Sequence, residues 1–126
     1  MVAQPWKFFS EVDPDHEYLA MSTFLPLESG GRAFRRDTKR VEGQLAASEG
    51  LVGYSLRVKF LRRHYWTLSV WEEEANLMAF KETAPHRDMM GLRKWRLGTF
   101  KSVRWRLSGA AIPPTWEEAL ERLSSA

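Results

Sequence analysis

The sequence predicts an α+β domain of the split βαβ, or ferredoxin-like, plan, in which one antiparallel sheet carries two long helices. Four segments alternate polar and apolar side chains with the period of a strand, and two longer segments carry apolar side chains at helical spacing. Their order is strand, helix, strand, strand, helix, strand. The length of 126 residues suits one domain. We therefore treat residues 1–126 as one unit with an N-terminal arm (1–16) and a C-terminal helix (115–124).

The first strand and the first helix are separated by a predicted break from Pro26 to Gly31. Residues 17–25 alternate in the manner of a strand. After the break, one residue in every three or four is suited to the buried face of a helix, and Gly50 is placed to end that helix. These residues are Phe34, Thr38, Val41 and Leu45.

The second half of the chain begins with a predicted hairpin formed by residues 51–60 and 64–71. No Asn-Gly or Asp-Gly pair marks its turn, so the pattern does not fix the register of the two strands. Helical spacing then returns over residues 72–97, through Leu77, Phe80, Met89, Leu92 and Trp95. Pro85 interrupts it and is expected to split or kink the helix.

A fourth strand and a last helix complete the predicted plan. Residues 100–107 alternate apolar and polar side chains, as a strand does. Thr115 and Glu118 have the spacing of a capping box, which predicts the start of the C-terminal helix. The arm at the other end carries aromatic residues and two prolines, so it is expected to dock on the domain without forming a long regular element.

The composition excludes several classes of chemistry. The chain contains no cysteine, which removes disulfides, thiolate zinc sites, iron–sulfur clusters and cysteine nucleophiles. No apolar run is long enough for a membrane helix, so we expect no membrane partner. The first residues lack the pattern of a secretion signal, and we expect a cytoplasmic protein. Motifs of serine hydrolases, phosphate-binding loops and dinucleotide-binding folds are also missing.

The positive charge is concentrated in two stretches. The net charge is only +3, but residues 32–63 carry nine Lys or Arg against three acids, and residues 93–106 carry six without any acid. Such stretches are typical of solvated helix faces, and they also occur on surfaces that bind anions. An RNA-recognition motif has the same order of elements, but its third strand carries a glycine-aromatic run that 64–71 lacks. We therefore expect no nucleic-acid partner.

Strand alternation divides the predicted sheet into two faces. One set of side chains is apolar enough to lie under the helices: Val52, Tyr54, Leu56, Val58, Trp66, Leu68, Val70, Val103 and Trp105. The other set mixes aromatic, hydroxyl and arginine side chains: Ser22, Phe24, Ser55, Arg57, Tyr65, Thr67, Ser69, Trp71, Arg104 and Arg106. Because few isolated sheets expose such a mixture, we expect a homodimer that packs two of these faces together and encloses a space for a small ligand.

A resemblance to a known family supports this plan. The segments HYWTLSVWEEEANLMAF (64–80) and PHRDMM (85–90) resemble the strand-to-helix core of antibiotic-biosynthesis-monooxygenase-like proteins, which are small dimeric α/β barrels. The resemblance covers roughly residues 17–107 and implies a homodimer, a small monooxygenase-like protein and O₂-dependent oxidation without a cofactor. The strand, helix and histidine are also similar to spheroidene monooxygenase, a haem-dependent oxygenase, which implies haem as the alternative.

The candidate site combines one base, cations and aromatic walls. His86 shares a predicted helix face with Met89, Met90 and Arg93, and its ordinary pKa suits proton abstraction near neutral pH. Arg57 is the predicted cation for a developing anion, because a guanidinium stays charged when buried. Both are predicted catalytic residues. The predicted substrate-binding residues are Trp66, Trp71, Tyr65 and Arg104.

Three alternatives remain open at this point. The protein oxidises a small aromatic or polyene molecule without a cofactor, or it binds haem through His86, or it is a dimer that binds a hydrophobic ligand without turnover. His16 and His64 have no partner at a metal-ligand spacing, so no metal site is expected. Glu72, Glu73 and Glu74 are interpreted as acids that favour the start of a helix rather than as catalytic carboxylates.

Overall fold

The structure is a computed structural model that describes residues 2–89 and 94–126. The strands are β1 (Val2–Ala3), β2 (Lys7–Phe8), β3 (Glu17–Ser29), β4 (Leu51–Lys59), β5 (His64–Trp71), β6 (Arg96–Leu97) and β7 (Lys101–Ser108). The helices are α1 (Gly31–Ala46), α2 (Glu74–Lys81), α3 (His86–Met89) and α4 (Trp116–Ser124), with short 3₁₀ turns at Phe60–Arg62 and Gly109–Ala111.

The long strands form an antiparallel sheet in the spatial order β4, β5, β3, β7. This order places the first strand of the split βαβ plan in the centre, between the third and the fourth, and it confirms the predicted fold class. The arm strands β1 and β2 extend the sheet by pairing with β4. In the described part of the chain, no helix has the length and hydropathy needed to cross a membrane.

Strand β3 extends four residues beyond its predicted end at Leu25. Pro26 pairs with His64, and Leu27 continues the strand by pairing with Leu97 of β6. The predicted break is therefore wrong. Proline is tolerated there because the pairing of β3 with β7 ends at Phe24, and the neighbour beside Pro26 is Gly98, whose N–H donates to the Pro26 carbonyl and which needs no N–H from the proline.

The split of the second helical segment at Pro85 is confirmed, since α2 ends at Lys81 and α3 starts at His86. The prediction that the helix resumes after Pro85 and includes Trp95 is wrong for Trp95. Trp95 precedes strand β6, and its ring packs edge-on against Phe34 of α1 at 5.0 Å between ring centroids. Leu92 lies outside the described residues.

Both ends of the chain fold back onto the sheet. In the arm, the Phe9 ring stacks on Tyr54 at 5.7 Å and Trp6 packs against the apolar side of the sheet that faces α4. The Thr115 hydroxyl accepts a hydrogen bond from the Glu118 backbone N–H at 3.1 Å, which confirms the predicted start of α4.

The predicted division of the sheet into faces is wrong. The turn between β4 and β5 has four residues, so Tyr54 pairs with Ser69 and Arg57 pairs with Trp66. Even-numbered positions of β4 therefore share a face with odd-numbered positions of β5. The sequence prediction places the even-numbered positions of both strands on one face. A shift of one residue moves every side chain of a strand to the other face.

Helices α1 and α2 consequently lie over the part of the mixed set that β5 and β7 contribute, whereas its β3 and β4 members lie on the opposite face: Ser22, Phe24, Ser55 and Arg57. Tyr54 and Trp71 lie in one buried cluster with Leu45 of α1 and Leu77 and Phe80 of α2. The opposite face carries Leu68, Val70 and Trp105, which pack with Ala119 of α4. The predicted dimer surface through Tyr65, Ser69 and Trp71 is therefore wrong, because α1 and α2 pack over the face that carries these residues.

A buried carboxylate joins α1 to the segment before β6. Asp37 is 6% exposed, and one of its oxygens accepts a hydrogen bond from the Trp95 indole N–H at 2.9 Å. Arg36 and Arg40 lie 3.6 and 3.8 Å from its other oxygen. The two arginines and the indole therefore compensate for most of the solvation that this carboxylate loses on burial.

Asp37→Ala is expected to lower the free energy of unfolding by about 1–3 kcal/mol, because it leaves the buried Trp95 N–H without this acceptor. Asp37→Asn keeps an acceptor oxygen and is expected to lose less. Chemical denaturation of the three proteins measures the difference. Equal stability of Asp37→Ala and the parent protein would show that the hydrogen bond contributes nothing.

Candidate functional site

The candidate site is a half-buried strip of the sheet face under α1 and α2, which we call the cleft. The buried apolar residues on this side form two clusters at opposite ends of α1. We call them the Trp71 cluster (Leu19, Leu45, Leu51, Tyr54, Trp71, Leu77 and Phe80) and the Trp95 cluster (Leu27, Phe34 and Trp95). The floor between them consists of four side chains that are only half-buried: Met21, Thr23, Thr67 and Ser69. The two clusters do not meet, and this gap is the candidate site.

Hydroxyl groups make the floor of the cleft polar. Thr23 lies 3.2 Å from the hydroxyl of Ser102 on β7, and the Ser69 hydroxyl accepts a hydrogen bond from the Trp71 indole N–H at 3.0 Å. Within the described residues, the hydroxyl of Thr67 takes part in none of the hydrogen bonds found. It is free to donate a hydrogen bond to a bound molecule.

The α1 side of the cleft is held to the sheet by a polar contact. The Tyr54 hydroxyl donates a hydrogen bond to the Glu42 carboxylate at 2.8 Å, and Lys7 of the arm lies 3.8 Å from the same oxygen. Burial and the neighbouring carboxylate both raise the pKa of Tyr54. Tyr54 therefore stays protonated near neutral pH and acts as a fixed contact between α1 and β4.

His86 packs on the Trp71 cluster through Phe80. Its ring packs against Phe80 at 5.0 Å between centroids, and Phe80 in turn packs on Trp71 at 5.4 Å. The side-chain oxygen of Gln44 accepts a hydrogen bond from the His86 backbone N–H at 2.9 Å. The histidine is thereby fixed between α1 and α2.

The state of the His86 ring suits a proton acceptor. Its Nδ1 lies 3.3 Å from the backbone oxygen of Lys81, a contact in which Nδ1 donates and Nε2 keeps its lone pair. Burial lowers the pKa of His86, and this effect outweighs the opposite influence of the Lys81 carbonyl. At neutral pH the imidazole is therefore uncharged. Of the residues predicted to share its helix face, Met90 and Arg93 lie outside the described residues.

Three of the other predicted site residues share this side of the sheet, but each is engaged in the fold. Trp71 is 0% exposed and belongs to the core, so it offers no free surface to a substrate. Arg104 forms an ion pair with Glu74 of α2 at 3.1 Å. The Tyr65 ring packs against Phe34 at 4.6 Å and closes the Trp95 end of the cleft.

Arg57 and Trp66 lie on the opposite face of the sheet. The Arg57 guanidinium carbon is 5.4 Å from the centroid of Trp66 and 6.0 Å from that of Trp116. Because the whole sheet separates them from His86, the predicted catalytic pair cannot act on one small molecule. His86 and Tyr65 therefore lie on the α1 and α2 side of the sheet, at different clusters, and Arg57 and Trp66 lie on the other side.

The sequence assigned Thr67 and Ser69 to the hydroxyl-bearing face but named neither as a site residue, and it did not single out Thr23. Thr23 and Thr67 stand opposite each other on β3 and β5, where their neighbours along the strands are mainly apolar. A hydroxyl residue at the middle of a strand that is otherwise apolar is a detectable signal. The pairing of the two positions was not available, because it depends on the register.

Solved structures with a similar fold support the fold class described above. A candidate antibiotic biosynthesis monooxygenase from Nitrosomonas europaea aligns over 80% of this chain and 95% of its own, with 16% identity and a TM-score of 0.62. SnoaB, a cofactor-independent oxygenase from Streptomyces nogalater, aligns over 79% and 99%, with 16% identity and a TM-score of 0.54. PA3566 from Pseudomonas aeruginosa aligns over 70% and 91%, with 16% identity and a TM-score of 0.62.

The sheet order and these similarities define the class as a ferredoxin-like α+β protein with the fold of antibiotic-biosynthesis-monooxygenase-like proteins, which confirms the predicted resemblance. Residues 32–125 match a family described as a domain of unknown function, DUF3291, and the chain belongs to that family. No curated protein matches the chain. At 16% identity or less, the structural similarities establish the fold alone.

Proposed function

We propose that this protein binds a small, mainly apolar molecule with an acidic C–H or O–H group in the cleft, and that it oxidises this molecule with O₂ without a resident cofactor. The observation that supports this most is an uncharged, half-buried His86 that packs through Phe80 on the Trp71 cluster, on the sheet face that also carries the Thr23, Thr67 and Ser69 hydroxyls. The fold shared with a cofactor-independent oxygenase agrees with it. Of the predicted substrate classes, anthrones and quinols carry such a group, whereas a hydrocarbon polyene does not and would need the haem candidate below.

The chemistry requires a substrate that becomes a good electron donor when it is deprotonated. His86 Nε2 accepts the proton, and the Thr67 hydroxyl stabilises the resulting oxyanion by donating a hydrogen bond. The anion reduces O₂, one oxygen atom stays on the carbon, and the other leaves as water. For a methylene substrate, R₂CH₂ and O₂ give R₂C=O and H₂O, so no external reductant is needed.

Arg57 has no part in this proposal, because it lies across the sheet from His86. In place of Arg57, the hydroxyls of Thr67 and Thr23 stabilise the anion in this proposal. A hydroxyl stabilises an anion less than a cation does. A substrate whose anion is already delocalised over an aromatic system suits such a site. This is a further reason to favour anthrones and quinols among the predicted substrates.

Haem bound through His86 is the second candidate. The carbonyl of Lys81 engages the Nδ1 side of the ring, so Nε2 is the nitrogen that would bind the haem iron. Haem would supply a redox-active iron in that case. A Soret band that appears on addition of hemin and is lost in His86→Ala would favour this candidate over the cofactor-free one.

Oxygen uptake with a panel of anthrones, quinols and carotenoids tests the proposal. We expect the metal-free protein to consume one O₂ for each product molecule, and Thr67→Leu to raise KM about tenfold or more by filling the floor of the cleft. Phe60→Leu is the matched control, because Phe60 is 60% exposed on the turn after β4. Binding of the panel without oxygen uptake would instead favour a ligand-binding protein without turnover.

We also propose that the protein is a homodimer, as the resemblance implies. The surface is not the one predicted from strand alternation, because that face lies under α1 and α2. Light scattering at micromolar concentration is expected to give twice the chain mass of 14.7 kDa. A strict monomer would contradict the dimer and leave the fold unaffected.

A further inference from the structure

The turn between β4 and β5 exposes two consecutive apolar side chains. Leu61 is 99% exposed and Phe60 is 60% exposed. In the described part of the chain, neither belongs to a buried apolar cluster. A single exposed leucine is ordinary, but two adjacent apolar residues at the end of a hairpin form a protruding apolar point. We call residues 60–63 the hairpin tip.

Hydrogen bonds hold the hairpin tip in a defined shape. The Arg63 N–H donates to the Phe60 carbonyl at 3.1 Å, and the Arg63 carbonyl accepts from the Leu27 N–H of β3 at 2.9 Å. The Arg63 guanidinium also donates to the Glu28 carbonyl, at 3.1 Å. The base of the tip is thus fixed to β3, and the turn places Leu61 in solvent.

Cations surround the hairpin tip. Lys59 precedes it, and Arg62 and Arg63 are part of it. Arg35 of α1 lines the same cavity as Arg63 and Phe60, with a volume of about 440 Å³. This shared cavity shows that the first turns of α1 lie next to the tip.

The outer face of α1 continues this positive surface. Arg32 and Arg36 stand one helical turn apart, as do Arg35 and Lys39, and all four are exposed. Arg36 lies 3.6 Å from the Asp37 carboxylate, and the ion pairs found within the described residues include none of the other three. The first basic stretch of the sequence therefore folds into one positive surface with an apolar point at its end.

Three kinds of partner are compatible with positive charge, and they differ in what they offer to Leu61. A symmetric contact with a second copy would bring like charges together. A nucleic acid neutralises the cations, but its backbone presents phosphates and sugars and leaves the leucine in water. A lipid surface with anionic headgroups offers negative charge to the cations and, below the headgroups, hydrocarbon to the leucine.

We propose that the hairpin tip and the basic face of α1 dock the protein onto a membrane that contains anionic lipids. Leu61 and Phe60 enter the boundary between headgroups and acyl chains, and the cations contact lipid phosphate and carboxylate groups. The sequence prediction of no membrane partner considers spanning segments, which a protein lying on a membrane surface does not need. The proposal is independent of the proposed oxidation, whose assay contains no lipid.

Sedimentation with vesicles made of equal parts phosphatidylcholine and phosphatidylserine tests the proposal. We expect the parent protein to bind these mixed vesicles, and to bind vesicles of phosphatidylcholine alone about tenfold or more weakly, because several cations then lose their partners. Binding to the mixed vesicles should weaken as the salt concentration rises, since salt screens the exposed cations.

Substitutions of Leu61 test the apolar part of the contact. Leu61→Ser is expected to weaken binding to the mixed vesicles about tenfold or more, because it removes the side chain that enters the apolar layer. Leu61→Trp should bind at least as tightly as the parent protein, since tryptophan favours the membrane interface. Phe8→Ser is the matched control, because Phe8 is 56% exposed and pairs with Gly53 near the opposite end of β4. A thermal melt checks the fold of each variant.

Substitutions of arginine test the charged part. Arg35→Gln and Arg62→Gln are each expected to weaken binding to the mixed vesicles about fivefold and to reduce its salt dependence. Arg106→Gln should change neither, because Arg106 is an exposed arginine that pairs with Leu19 near the other end of the sheet.

Three results with vesicles and DNA would overturn the proposal. They are a parent protein that does not sediment with the mixed vesicles, a loss of affinity in Leu61→Ser no larger than in Phe8→Ser, and binding to a DNA duplex as tight as binding to the vesicles. Light scattering without lipid adds a fourth: a dimer that dissociates in Leu61→Ser would identify the tip as a contact between copies. An unchanged mass in this variant supports the proposal.

Discussion

His86→Ala is expected to lower the rate of oxygen uptake by about 10² to 10⁴, the usual contribution of a general base. The fold should persist, because the hydrogen bond between Gln44 and residue 86 uses only the backbone N–H of that residue. Added imidazole should restore part of the activity of His86→Ala. His16→Ala serves as the control, since His16 is an exposed histidine that packs on Tyr18 outside the cleft.

The pH dependence gives a second test of His86. Its pKa is lowered from 6.5 by burial, so the uncharged base persists below that pH and the rate should fall only on the acid side. The folding stability also decreases toward acid pH. As the pH falls below 6.5, the unfolded chain takes up this proton first, and the contribution of His86 to the free energy of unfolding decreases. A rate that rises toward acid pH would contradict its role as a base.

Trp71→Ala is expected to lower the free energy of unfolding by about 3–5 kcal/mol, because the indole is 0% exposed and fills the space between β5 and α2. Small domains have only about 5–15 kcal/mol in total, so the variant should unfold at a much lower denaturant concentration. Urea unfolding followed by circular dichroism measures the change. Trp71→Phe should lose less, since it keeps a ring against Phe80.

The same variant distinguishes a core tryptophan from a substrate-binding one. Phe60→Ala, at a surface position, is expected to change stability by no more than about 0.5 kcal/mol. If Trp71→Ala kept its stability and lost only ligand affinity, the sequence prediction of a substrate-binding Trp71 would be right. The packing of Trp71 in the core would then be overturned.

Local patterns predicted most of the elements. The periods of the strands, the helix split at Pro85 and the cap at Thr115 are each determined by a few neighbouring residues, and the structure bears them out. Pro26 shows where this reasoning fails, because a proline is disruptive in a strand only if a neighbour needs its N–H. Whether such a neighbour exists depends on β7, which is far away in the sequence.

The composition of the site was harder to predict than the elements. Within one strand, alternation correctly shows which residues share a face. The turn at residues 60–63 then determines which residues of β4 lie on the same face as which residues of β5. For this reason Arg57 and His86 were predicted to act together although the sheet separates them. Tyr65, in contrast, lies on the same side of the sheet as His86, and its role in substrate binding stays a prediction. The pairing of Thr23 with Thr67 could be recognised only once the register was known.

The sheet between the cleft and the opposite surface is one backbone thick. Thr23 and Phe24 are consecutive residues, as are Trp66 and Thr67, and each pair sends one side chain to either surface. A substitution that shifts this backbone from one side therefore also displaces the neighbouring side chain on the other side.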